Sequence, residues 1–70
     1  MTVMATELIR VGEFVAEVDV QLHDDAGEFS PAVSLADARK IEAVRLALEV
    51  SDIAAAERLG RVYRLLRVSA

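Results

Sequence analysis

The chain has 70 residues, no cysteine, one histidine and a formal net charge of -4, and 54% of it is hydrophobic although only Phe14, Phe29 and Tyr63 are aromatic. These bounds leave room for one small domain, residues 1–70, and exclude disulfides, thiolate metal sites and a disordered polar chain. Scattered charges also break every apolar run before the ~20 residues that a membrane span requires.

A domain of this size buries only roughly 60% of the surface its unfolded chain exposes, so association is the expected source of further stability and a homo-oligomer the expected state. Met1 to Glu7 lack the basic start, apolar stretch and small-residue cleavage site of a secretory signal. Together with the absence of cysteine, this points to the cytoplasm.

Charge divides unevenly along the chain. Residues 1–30 hold seven acids against Arg10 alone, whereas residues 31–70 hold seven bases against five acids. Such asymmetry predicts that the two parts face different surroundings.

In chain order, residues 1–9 are expected to be a flexible N-terminus. From Glu13 to His23 apolar Phe14, Ala16, Val18, Val20 and Leu22 alternate with Glu13, Glu17, Asp19, Gln21 and His23, leaving only Val15 out of phase. This is the pattern of a half-buried strand whose acids share one face. Residues 24–33 read as a loop, from the turn formers at Asp24, Asp25 and Gly27 and from Pro31, with Phe29 and Val33 pinning it to the core. Ser34 then resembles a helix N-cap, with Asp37 in the first turn facing the positive end of the helix dipole.

Ala38, Ile41, Val44 and Leu48 recur at three- and four-residue spacing, which predicts an amphipathic helix over 35–49. Ser51 and Asp52 restart the capping chemistry for a short second helix from Ile53 to Leu59, ended by Gly60. The segment 61–68 fits a strand by residue type and also accommodates a helical stripe of Leu59, Val62, Tyr63 and Leu66. The strand is favoured, because the first strand needs a partner. The expected fold is therefore α+β, in the order β-α-α-β. Two strands make a poor sheet, so its completion is expected from dimerisation.

Reaction chemistry is hard to find in these residues. His23 with Asp24, Asp25 and Glu28 matches no calcium loop, and zinc ordinarily draws on more than one histidine or thiolate. Ser30, Ser34 and Ser51 lack a nucleophile elbow, and Gly12, Gly27 and Gly60 are too dispersed to cradle phosphate. The chain is expected to be no enzyme and to use no metal or cofactor.

Two charged features remain. Glu13, Glu17 and Asp19 form the candidate surface for a basic protein partner. Arg58, Arg61, Arg64 and Arg67, spaced every three residues, are the candidate nucleic-acid or subunit contact. The plain alternative is that these arginines pair with the acidic strand of the same or a neighbouring subunit, which the overall acidity favours.

The stretch from Ser34 to Leu65, SLADARKIEAVRLALEVSDIAAAERLGRVYRL, resembles short bacterial proteins associated with toxin-antitoxin pairs. They share a helical segment ending in A-x-x-L-x-R-V-Y after an acidic strand; Ala56, Leu59, Arg61, Val62 and Tyr63 match it. The resemblance implies a small antitoxin that binds and masks a basic toxin and acts on its own promoter as a dimer. The chain lacks a recognisable ribbon-helix-helix, helix-turn-helix or swapped-hairpin signature and a long polar tail, so autoregulation by DNA binding is not part of the expectation. The expected function is thus non-enzymatic protein binding, antitoxin-like in its most concrete form. The alternatives are a small DNA-binding regulator using the C-terminal arginines, or a purely structural homodimer.

Overall fold

The computed structural model describes residues 2–23 and 32–69. Its fold is α+β, with elements in the order β1 (Thr2–Val11), β2 (Phe14–His23), β3 (Ala32–Val33), α1 (Leu35–Glu49), α2 (Ile53–Glu57) and β4 (Arg61–Arg64). The expected strand, two helices and closing strand are all present. The expected turn around Asp24 to Gly27 and the anchoring by Phe29 lie outside the described residues.

The N-terminus differs from expectation. Residues 2–11, read as flexible over most of their length, form a strand that pairs with all of β2, from Thr2 opposite His23 to Val11 opposite Phe14. Gly12 and Glu13 close this hairpin, with Gly12 at φ +59. A two-residue loop with glycine at positive φ in its first position gives the strands the twist they need to pair. The third strand, which the sequence reading sought from a second subunit, thus comes from the same chain.

β2 is the centre of the sheet. β1 runs antiparallel along one side, while β4 pairs antiparallel with residues 14–17 on the other side and β3 with residues 22–23. Between β3 and β4 the ladder has a gap, which α1 fills with side chains. Asp37 Oδ2 accepts from the Gln21 backbone N–H at 2.7 Å, and Lys40 Nζ donates to the Asp19 carbonyl. Asp37 therefore stands in for a missing strand as well as occupying the first helical turn, and its carboxyl is held below the usual carboxylate range, chiefly by the Gln21 N–H.

Alternation decides which sheet face is covered. Ala16, Val18 and Val20 of β2 and Ile9 of β1 point to one side, where Val44 and Leu48 of α1 and Ala56 of α2 close the core. Ala5, Val11, Phe14, Leu22, Ile41, Ala47, Ile53 and Val62 pack around it. Small aliphatics fill this core because no aromatic is fully buried among the described residues. At the start of α1, the Ser34 hydroxyl accepts from the Asp37 N–H at 3.1 Å; at the start of α2, Asp52 caps Ala55 in the same way. Both caps fall where the sequence puts them.

Candidate functional site

The other sheet face carries Glu17, Asp19 and Arg61 of the charged residues singled out in the sequence. The strand registers place Arg10, Val15 and Tyr63 in one row, Leu8, Glu17 and Arg61 in the next, then Thr6 beside Asp19 and Met4 beside Gln21. Neither helix covers this face, since both pack against the opposite side.

The acids and arginines on it meet one another. The Arg61 guanidinium donates to Glu17 Oε1 at 3.1 Å and to both Asp19 carboxylate oxygens, the shorter contact being 2.9 Å. Tyr63 donates its hydroxyl to Glu17 Oε1 at 2.9 Å, and Thr6 donates to Asp19 Oδ1 at 3.2 Å. Glu13, in the hairpin loop, lies 3.5 Å from Arg64, whose guanidinium also stands over the Phe14 ring, 5.4 Å from its centre. The Glu13 carbonyl accepts from the Leu65 N–H at 2.6 Å, which ties the chain after β4 to the hairpin loop.

These contacts shift the titrating groups. Tyr63 first, and then Arg61, hold the Glu17 carboxyl below its usual value. Arg61 does the same to Asp19. The Glu17 carboxylate in turn pushes the Tyr63 phenol up, and the two acids push Arg61 further into its charged form. The cluster is fixed as two carboxylates, one guanidinium and a neutral phenol over the ordinary pH range.

The two candidate sites therefore meet in part: Glu17 and Asp19 of one and Arg61 of the other share one intramolecular network, and Glu13 pairs with Arg64 apart from it. The four arginines do not share one face. Arg58 caps the end of α2, Arg61 and Arg64 point to opposite faces of β4, and Arg67 lies beyond the strand, which ends at Arg64 rather than continuing to residue 68. Arg58 and Arg67 are exposed, with no ion pair among the described residues. Elsewhere Arg45 bridges Glu42 and Glu49 along α1, an ordinary helix-surface arrangement.

Sequence reasoning missed Thr6 and Tyr63 as members of the network. Their positions follow only from the strand registers, which no short-range pattern announces. Of the His23, Asp24, Asp25 and Glu28 cluster, all but the His23 backbone lies outside the described residues. Among the described residues, no group of three His, Cys, Asp or Glu side chains is placed to hold a metal, there is no pocket, and no helix is long and apolar enough to cross a membrane.

What the open face offers is contact area. Met4, Leu8 and Tyr63 are 60%, 64% and 48% exposed there, set among hydrogen-bonded charges. No protein-family model, curated protein or solved structure matches the chain.

Proposed function

We propose that the chain is a non-enzymatic protein-interaction module that engages its partner through the open face of the sheet. The observation that carries this reading is the combination of exposed Met4, Leu8 and Tyr63 with a charge network already satisfied inside the chain. Interface centres favour apolar and aromatic side chains, and polar groups that are paired in advance cost less to desolvate when a partner arrives. Tyr63 has the character of an anchor, with a rigid ring and a hydroxyl already held.

In its concrete form the partner is a basic protein that this chain binds and masks, the antitoxin-like role that the sequence resemblance implies. Internal pairing removes acids and bases together, so the net charge of -4 stays available to steer a basic partner. The same pairing supports protein over nucleic acid as the partner. Arg61 and Arg64, two of the four arginines that would meet phosphates, are each beside a carboxylate.

The test is affinity capture of the tagged chain from its native cells, with the captured protein then expressed alone. The expected result is a basic protein in stoichiometric amount whose toxicity this chain relieves. Tyr63→Ala should weaken that complex by about tenfold or more while leaving the chain folded by circular dichroism. A chain that elutes without such a partner, or a Tyr63→Ala variant that binds as tightly as the natural chain, overturns the reading.

A further inference from the structure

The outer edge of β1 is a ten-residue strand flank that no strand or helix backbone pairs with among the described residues. Its geometry follows from the registers. On β2 the Gln21 N–H and the carbonyls of Glu13 and Asp19 face away from β1, so the odd residues of β2 point outward and its even residues bond β1. Their partners on β1 are the odd residues. Thr2, Met4, Thr6, Leu8 and Arg10 therefore present their backbone N–H and C=O groups to the outside.

Long edges of this kind are commonly blunted by proline, by charged side chains, lysine above all, or by a bulge. The segment TVMATELIRV has no proline or lysine, its charges are Glu7 and Arg10 alone, and its pairing with β2 runs without interruption. From these observations we infer that β1 pairs antiparallel with β1 of a second copy, across a two-fold axis at Thr6.

The residues of the edge select that register. With Thr6 opposite Thr6 of the second copy, Met4 faces Leu8 twice on the open face and Val3 faces Ile9 twice on the helix-covered face. Glu7 faces Ala5, Arg10 faces Thr2, and all of residues 2–10 are paired. Sliding by one step that keeps the outward groups opposed either brings Glu7 against Glu7, a like-charge pair, or carries Ile9 and Arg10 past the Thr2 end of the second copy's β1. The apolar pairs use side chains that are exposed in the single chain, Met4 and Leu8 at 60% and 64% and Val3 at 51%.

The product is one continuous sheet ordered β4-β2-β1-β1-β2-β4 across an isologous interface. This pairing shares Met4 and Leu8 with the open face and leaves Tyr63 free, so loss of the partner complex in Tyr63→Ala and loss of the dimer are read separately. Each acid-arginine network stays within its own chain. The contact is therefore backbone and apolar, joins two chains of equal net charge, and is not weakened by salt.

The absence of native cysteine makes the register testable. Opposed residues of a hydrogen-bonded antiparallel pair have Cα atoms about 5.5 Å apart, within the span of a disulfide. Thr6→Cys should therefore give a covalent dimer on mild oxidation, whereas Met4→Cys, which faces Leu8 rather than itself, should not. Sedimentation equilibrium of the natural chain should show a dimer whose affinity holds or rises between about 0.05 and 0.5 M salt. A natural chain that stays monomeric at about 1 mM overturns the proposal. So does cross-linking of Met4→Cys as efficient as that of Thr6→Cys.

Discussion

Gly60 sits where β4 comes closest to the central strand. A Cβ built on it would lie 2.5 Å from the Glu17 carbonyl oxygen and 3.1 Å from a Val18 methyl. The first contact is with the backbone of β2 and cannot be relieved by a rotamer change. Gly60→Ala must push β4 outward, so it should destabilise the fold by about 1–3 kcal/mol, or lower the melting temperature by roughly 5–15 °C. Arg61 follows directly, so the same shift should loosen its bonds to Glu17 and Asp19. A thermal melt unchanged by the substitution would show that the close approach is absent. The sequence supports Gly60 as a helix stop; its second role depends on a strand that passes 43 residues away and is invisible to local reading.

At the scale of elements, α1 ends in a hydrogen-bonded cap with an unfavourable residue in it. Ser51 N–H donates to the Leu48 carbonyl at 3.0 Å and Asp52 N–H to the Ala47 carbonyl at 2.8 Å, the paired bonds of a Schellman motif. Ser51 occupies the left-handed position of that motif, at φ 59, where glycine is the usual residue. Ser51→Gly should therefore stabilise the protein by about 0.5–1 kcal/mol, seen as a rise in the denaturation midpoint without a change in slope. A fall in the midpoint would contradict the cap assignment. The helices were legible because their caps announce themselves locally: Ser34 and Asp52 each bond three residues on, and α1 spans Leu35–Glu49 as its spacing requires. β2 was legible because one of its faces is buried and the other charged. β1 was not, because its open face carries Met4 and Leu8 while its covered face carries Ala5 and Ile9, so apolar residues fall on both sides and the alternation disappears. Only Gly12 marks the hairpin, and a lone glycine is a weak signal.

For the molecule as a whole, the uneven charge was visible from the start, and what the sequence lacked was its destination. The acids of the hairpin and the arginines around β4 lie 42 to 44 residues apart where they meet around Glu17, Asp19 and Arg61. Pairing at that distance is a property of the register of β4 on β2. Glu17, Asp19 and Asp37 all have carboxyls held below their ordinary values, so the stability they contribute is complete above about pH 5 and is lost as pH falls from there through the lowered values. Tyr63 acts in the other direction: its raised phenol contributes below about pH 10 and loses that contribution as pH rises further. The central claim is that the acidic strand is answered from within its own chain, which leaves apolar contact rather than free carboxylates to recognise a partner. Carboxyl titration by NMR in the natural chain and in Arg61→Ala tests it most directly. Glu17 and Asp19 are expected to titrate below ordinary carboxylates in the natural chain; in the variant both rise toward the ordinary range but only part of the way, Asp19 still held by Thr6 and Glu17 by Tyr63. Ordinary titration of both acids in the natural chain would contradict the account and restore the acidic face as a free surface for a basic partner.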